Sequence, residues 1–154
     1  MSRKRPRVHK APKAVKTARN IARPKGGKTP RSAVVPSSAR ERPSWSFMIM
    51  DVDGPWCFYR KAEQLRAVID GLRPYETMTW AEIEGRRDHF IDRSTIIGDA
   101  QKRLETIRHD DVDELFSLHL GGKPRVWGIR DGSVLRLLWW DPEHQICPSH
   151  LKHT

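Results

Sequence analysis

Residues 114–147 read ELFSLHLGGKPRVWGIRDGSVLRLLWWDPEHQIC, in which apolar runs alternate with short turn signals. Residues 121–123 (GGK) and 131–132 (DG) each separate two runs rich in Leu, Val, Ile and Trp. Glycine-containing turns between such runs are typical of β-hairpins. The pattern predicts a three-stranded antiparallel β-meander. Its last strand, residues 134–140, is apolar except for Arg136, which indicates a central strand covered on most of its surface.

Helical patterns precede the meander. Residues 59–72 carry Leu65, Val68, Ile69 and Leu72 on one face of an amphipathic helix. Two further helices are predicted, a short one opened by a capping box of Thr79 and Glu82 and a third over residues 98–108. Residues 45–50 (WSFMIM) predict a strand. The expected fold class is α+β, a small antiparallel β-meander packed against two or three helices.

The positive charge is concentrated at the N-terminus. The chain carries a formal net charge of +10, but residues 1–42 alone hold fourteen Lys or Arg and one acid. Residues 1–44 contain six prolines and no aromatic residue, so they cannot bury enough apolar area to offset the entropy of ordering. The sequence therefore predicts a disordered basic arm over residues 1–44 and a single α+β domain over residues 45–154.

A basic arm of this kind binds nucleic acid by neutralising phosphates and releasing counterions. The candidate nucleic-acid-binding residues comprise six in the arm and one on the last strand: Arg3, Lys4, Arg5, Arg7, Lys25, Lys28 and Arg136. Two alternatives stay open, a solubilising extension and a translation start at Met48 or Met50. An acidic connector, residues 110–114, argues against an RNA site beside the meander unless it faces away.

Cysteine usage and hydropathy bear on the cellular setting. Cys57 and Cys147 lie far apart without a secretory signal before them, which favours a reducing, cytoplasmic location. No apolar run approaches the roughly 18 residues that a membrane helix needs, so no membrane association is expected.

The order of helices and strands, with LFSLHL, turn GGKP, RVWGIR, turn DG and SVLRLLWW, resembles the RelE/HigB/ParE-like toxin superfamily over about residues 98–147. Residues 127–149 also resemble a widespread family of bacterial proteins. The first resemblance implies a RelE-like fold and a toxin-type endoribonuclease that cuts mRNA without a metal or other cofactor. RNA or the ribosome, and a cognate antitoxin, are the partners it implies.

Carried over by position, the resemblance implies four catalytic residues. His144, just past the last strand, stands where the family places an acid or base, and Arg125 stands where an arginine clamps the phosphate. His119 lies one strand back and Lys123 lies in the basic turn. Each also has a structural interpretation: Arg125 as a solvated charge, His119 as a cross-strand partner, and His144 as part of a turn in which Asp141 satisfies backbone N–H groups.

Other interpretations compete with this one. A non-catalytic nucleic-acid-associated adaptor would bind through the basic arm alone. His144, Cys147, His150 and His153 recur every third residue and are suitable zinc ligands. Residues 51–54 (DVDG) superficially resemble the nucleophile loop of haloacid-dehalogenase-like phosphatases, but too little chain follows for that fold, which favours a strand-terminating turn.

Overall fold

A computed structural model describes residues 37–148. They form an α+β fold with a five-stranded mixed sheet in the order β1-β5-β4-β3-β2. The strands are β1 (Ser44–Ser46), β2 (His89–Asp92), β3 (Glu114–His119), β4 (Arg125–Asp131) and β5 (Val134–Asp141). The helices are α1 (Ala62–Leu72), α2 (Trp80–Ile83) and α3 (Gly98–Thr106), with short 3-10 turns at Ser37–Arg40, Arg73–Thr77 and Arg93–Thr95. None of the helices in this part of the chain is long and apolar enough to cross a membrane.

The predicted meander is confirmed as β3, β4 and β5. Both turns depend on glycines with positive φ, Gly121 and Gly122 in the first and Gly132 in the second, a conformation that favours glycine. Strand β5 lies between β1 and β4, so the prediction of a central last strand is also confirmed. The capping box of Thr79 and Glu82 opens α2 as expected.

The two outer strands were not predicted as they occur. Strand β1 pairs in parallel with β5 and ends at Ser46, so the predicted strand over residues 45–50 is shorter, and Phe47 and Met48 are exposed. Strand β2 pairs antiparallel with β3, and the sequence pattern predicted no strand there. Both pairings join segments far apart in sequence, which local patterns do not specify.

The packed structure begins before the predicted boundary at residue 44. Ala39 and Pro43 are buried, and the Glu41 carbonyl oxygen accepts a hydrogen bond from the Trp80 backbone N–H at 3.0 Å. Residues 37–44 thus belong to the fold, because their backbone hydrogen-bonds to α2 and to the sheet and two of their apolar side chains are buried. Residues 1–36 of the predicted arm, with its six candidate basic residues, lie outside the described residues.

Helices cover both faces of the sheet. Helices α1 and α2 pack on one face, where Val68, Leu72 and Trp80 join a core that includes Trp140. Helix α3 packs on the other face, where Ala100 and Leu104 join a core that includes Trp139. The adjacent tryptophans Trp139 and Trp140 therefore point to opposite faces and are both buried, because each face has its own helical layer.

A β-bulge separates the two halves of β5. Trp127 lies opposite Trp139 and Gly128 lies opposite Leu137, which leaves Leu138 as the extra residue. At Gly128 the β5 backbone approaches closely, and a Cβ there would lie 2.6 Å from the Arg136 carbonyl oxygen. Glycine is thus required where the bulge brings the two strands together.

We expect Gly128→Ala to lower the free energy of unfolding by about 1–3 kcal/mol, because the added methyl group overlaps backbone that cannot move without disturbing the bulge. Chemical denaturation followed by tryptophan fluorescence measures the change. Gly85→Ala is the matched control, since a Cβ at Gly85 meets nothing within 4 Å and should change stability by less than about 0.5 kcal/mol. Equal stability of the two variants would contradict the close approach.

The loop after β1 is anchored by a buried carboxylate. The two oxygens of Asp51 accept hydrogen bonds from the Arg103 guanidinium at 2.6 and 2.7 Å and from Trp139 Nε1 at 3.1 Å. Oδ1 also accepts the backbone N–H groups of Asp53 and Gly54. The residues 51–54 (DVDG) therefore form the expected turn, and the Asp51 carboxylate is occupied by structural partners.

Candidate functional site

An open cleft of about 480 Å³ lies where the sheet face that carries α3 extends beyond that helix. We call it the basic cleft, since arginine and histidine side chains dominate its walls. Its lining residues are Arg86, Arg87, His89, Ile91, Ser117, His119, Gly122, Arg125, His144, Cys147 and Pro148. Three of the four predicted catalytic residues, His119, Arg125 and His144, lie in it together.

Strand register explains how the cleft acquires these side chains. His119 on β3 pairs with Arg125 on β4, which in turn pairs with Asp141 at the end of β5. One row further in, His89 on β2 pairs with Ser117 on β3. Because side chains alternate between faces along a strand, residues two apart on β3, Ser117 and His119, face the same side. The alternation of side chains along β2, β3 and β4 thus brings these polar residues together at one end of one face of the sheet.

His119 is fixed by hydrogen bonds on both its backbone and its ring. Its backbone N–H donates to Asp88 Oδ1 at 2.6 Å, and its carbonyl oxygen accepts from the Tyr75 hydroxyl. Its Nδ1 accepts the backbone N–H of Gly121 at 3.2 Å. An imidazole that accepts at Nδ1 carries its proton on Nε2 in the neutral form. His119 therefore can present an Nε2–H donor to a group bound in the cleft.

Arg125 combines a structural and an anion-binding role. Its Nη1 donates to the carbonyl oxygens of Gly122, Lys123 and Pro124 at 2.9 to 3.1 Å, which holds the turn between β3 and β4. Within residues 37–148, its Nε and Nη2 make no hydrogen bond to protein. Burial lowers the pKa of Arg125, and the nearby carboxylate of Asp141 opposes that effect. The guanidinium stays charged at neutral pH and can bind an anion in the cleft.

His144 lies in a turn built by Asp141, whose two side-chain oxygens accept the backbone N–H groups of Gln145 and Ile146 at 2.8 and 3.0 Å. The turn that competed with a catalytic role is therefore present, and it positions His144 at φ 54°, a conformation few non-glycine residues adopt. Burial, then the positive charge of Arg125, lowers the pKa of His144 below 6.5. The ring is thus neutral at neutral pH and can accept a proton.

We expect Arg125→Gln to raise the pKa of His144, because the substitution removes the cationic neighbour that disfavours a protonated ring. Titration of the histidine ring protons by NMR measures the pKa directly and requires no activity. Arg66→Gln, on the exposed surface of α1, is the control and should leave that titration unchanged. A His144 midpoint unaffected by loss of Arg125 would show that the two side chains do not interact.

Arg86, Arg87 and His89 are cleft residues that the sequence interpretation missed. The arginines lie in the loop between α2 and β2, where Gly85 N–H donates to the Asp88 carbonyl oxygen at 2.8 Å. His89 opens β2, and its Nδ1 is buried without a hydrogen-bond partner in the described part of the chain. The sequence feature that could have identified them is the run RRDH at residues 86–89, where cationic and titratable residues are concentrated. The same run is equally typical of a solvated helix end.

The remaining predicted residues lie elsewhere. Lys123 does not line the basic cleft, and its Nζ binds Glu143 Oε2 at 2.8 Å, with both side chains exposed. Arg136 pairs with Ile129 and Ser46, five residues from Asp141, or about 17 Å along β5, and does not line the cleft. The acidic connector, residues 110–114, ends at Glu114, the first residue of β3, so it lies at the opposite end of β3 from His119.

The zinc interpretation depends largely on residues beyond the described range, since His150 and His153 lie outside it. Within residues 37–148, no three His, Cys, Asp or Glu side chains are grouped as metal ligands. Of the four predicted ligands, His144 and Cys147 lie in the described part of the chain, and both line the basic cleft.

Chemically, the basic cleft combines three guanidinium groups that attract an anion with a neutral histidine that can accept a proton. This combination suits a phosphate ester whose reaction involves proton removal and growing negative charge. No protein-family model, curated protein or solved structure matches this chain.

Proposed function

We propose that the chain is an RNA-directed, toxin-type protein with a RelE-like fold, a metal-independent endoribonuclease that acts in the cytoplasm. The observation that carries the proposal is the convergence of His144, His119 and Arg125 in one open cleft with Arg86 and Arg87. These residues come from four separate segments of the chain. A histidine that can accept a proton, beside a second histidine and a group of arginines, supplies the base and the charge stabilisation that phosphodiester cleavage without a metal uses.

The proposed reaction is an internal transesterification. His144, neutral because of burial and Arg125, accepts the proton of the ribose 2′-hydroxyl. The 2′-oxygen then bonds to phosphorus, and the bond from phosphorus to the 5′-oxygen breaks, which leaves a 2′,3′-cyclic phosphate. The 5′-oxygen departs and takes a proton from water, while His144 later releases its proton to solvent.

Other cleft residues stabilise the charge that this reaction creates. Only the Nη1 group of Arg125 donates to the carbonyl oxygens of the turn. Its remaining N–H groups can therefore donate to a nonbridging phosphate oxygen. The Nε2–H of His119 is a second donor. Arg86 and Arg87 are exposed and would contact flanking phosphates, with an affinity that falls as salt rises.

The same cleft suggests the partners. The basic cleft is cationic and open to solvent, so it suits single-stranded RNA, either free or held by the ribosome. An acidic segment of an antitoxin could bind in the same cleft and cover it. The position of the acidic connector at the far end of β3 is compatible with both. The 2′-hydroxyl requirement restricts the chemistry to RNA, because DNA has no nucleophile at that position.

Inducible expression of the full chain in a bacterial host, with mapping of mRNA 5′ ends, tests the proposal. We expect growth arrest and new cleavage sites, and we expect both to disappear in His144→Ala. Removal of residues 1–36, which leaves the packed segment from Ser37 intact, distinguishes the endoribonuclease from the non-catalytic adaptor. An adaptor loses its effect when the arm is removed, whereas an endoribonuclease still cleaves RNA. Intact mRNA with the full chain would reject the catalytic proposal.

A further inference from the structure

A second groove, of about 540 Å³, adjoins the basic cleft around the edge of the sheet. We call it the rim groove. It is lined by Gly71, Pro74, Tyr75, Met78, Arg87, Asp88, His119, Leu120 and Gly121. Arg87 and His119 line both concavities, so the two are neighbours on the surface.

The walls of the rim groove are largely apolar. Tyr75, Met78 and Leu120 are half-buried and pack against the core beneath α1, which fixes their positions. Pro74 adds a rigid exposed ring. Rigid aromatic and aliphatic surfaces beside a cationic track are the features by which proteins bind unpaired nucleobases. The groove therefore offers a base a surface that the arginine-rich cleft does not.

One carboxylate gives the groove a chemical preference. Asp88 Oδ1 accepts the backbone N–H of His119, and both oxygens lie 3.2 Å from the Tyr75 hydroxyl. Among the described residues, Oδ2 accepts from no other group. A carboxylate only accepts hydrogen bonds, so it favours bases that present N–H donors. Guanine presents N1–H and an amino group side by side, whereas uracil presents one N–H between two carbonyl oxygens.

We propose that the rim groove is a nucleobase-recognition site that binds the base adjoining the scissile phosphate and selects guanine through Asp88. The proposal rests on the proposed function for the location of the phosphate. Arg87 is the link, because it lines both the basic cleft and the rim groove. Tyr75 and Met78 supply the apolar contact, and Asp88 supplies the discrimination.

Binding of 3′-nucleoside monophosphates to the full chain tests the inference without requiring catalysis. Calorimetry with 3′-GMP, 3′-UMP and inorganic phosphate, at one fixed salt concentration, gives the dissociation constants. We expect 3′-GMP to bind at least about fivefold more tightly than 3′-UMP, the lower end of the discrimination that one well-placed pair of hydrogen bonds provides. Equal affinity of 3′-GMP, 3′-UMP and inorganic phosphate would overturn the inference.

Asp88→Asn sharpens the test, because the amide retains one acceptor for His119 N–H but presents an NH₂ donor in place of the other acceptor. We expect the ratio of 3′-UMP to 3′-GMP dissociation constants to fall to about one while phosphate affinity changes little. Asp111→Asn, an exposed position in the acidic connector, is the matched control and should retain the selectivity. If Asp88→Asn does not fold, the wild-type ligand series alone decides the question.

The outcomes separate this inference from the proposed function. RNA cleavage without base selectivity would overturn the rim groove as a recognition site and leave the nuclease standing. Selective 3′-GMP binding by a chain that does not cleave RNA would support the rim groove and reject catalysis. Absence of binding by phosphate and by both nucleotides would reject both proposals.

Discussion

Replacement of His144 by alanine is expected to reduce RNA cleavage by about 10²- to 10⁴-fold, the usual contribution of a general base. The reason is that His144 is the cleft histidine whose pKa is lowered, by burial and then by Arg125, so it is ready to accept the 2′-hydroxyl proton at neutral pH. Single-turnover cleavage of a short RNA by the purified full chain measures the loss. Circular dichroism of the variant shows whether the fold survives.

His109→Ala is the matched control for this prediction. His109 is a half-buried histidine after α3 and does not line the basic cleft, so its loss should leave the rate within about twofold. The acidic limb of the wild-type pH profile should lie below pH 6.5, because protonation inactivates the base. Full activity of a folded His144→Ala chain would show that His144 is not the general base.

Asp51→Ala is expected to lower the free energy of unfolding by about 3–5 kcal/mol, the usual effect of removing one partner from a buried ion pair. The carboxylate is 4% exposed and receives hydrogen bonds from Arg103, Trp139 and two backbone amides. Its loss leaves the Arg103 guanidinium, whose side chain is 21% exposed, without its partner. Chemical denaturation measures the effect, and Asp53→Asn in the same loop should change stability by less than about 0.5 kcal/mol.

The pH dependence of this stabilisation has a definite sign. Burial alone would raise the pKa of Asp51, but the hydrogen bonds from Arg103, Trp139 and the backbone outweigh burial and lower it below 3.8. A group whose pKa is lowered on folding stabilises the protein above the pKa of the unfolded chain, and this stabilisation is lost as pH falls through the folded value. The stability difference between wild type and Asp51→Ala should therefore shrink below about pH 4. A constant difference down to pH 2 would contradict the ion pair.

The meander could be predicted because its determinants are local. Gly121, Gly122 and Gly132 adopt positive φ in the two hairpin turns, and the apolar runs between them fix the strands. The parallel pairing of β1 with β5 joins Trp45 to Leu135, across most of the described chain. No local pattern encodes such a pairing, since it depends on a distant segment of the chain hydrogen-bonding to the edge of β5 that β4 leaves free.

The candidate site was predicted in part for the same reason. His119 and Arg125 lie on neighbouring strands of one hairpin, so their proximity follows from the turn between them. Arg86 and Arg87 join them only because β2 pairs with β3, a pairing that was not predicted. Asp88 is the clearest example of a residue whose role the sequence does not reveal. Its carboxylate lies beside the His119 backbone N–H and the Tyr75 hydroxyl, and no sequence pattern brings these three groups together.

The central claim is that the basic cleft cleaves RNA by internal transesterification without a metal ion. The most direct measurement incubates the purified full chain with a defined single-stranded RNA in excess EDTA, then identifies the product ends by mass spectrometry. The account predicts cleavage that yields 2′,3′-cyclic phosphate ends, is blocked by a single 2′-deoxy substitution at the cleaved position, and is lost in His144→Ala. Uncut RNA, or products that lack the cyclic phosphate, would contradict it.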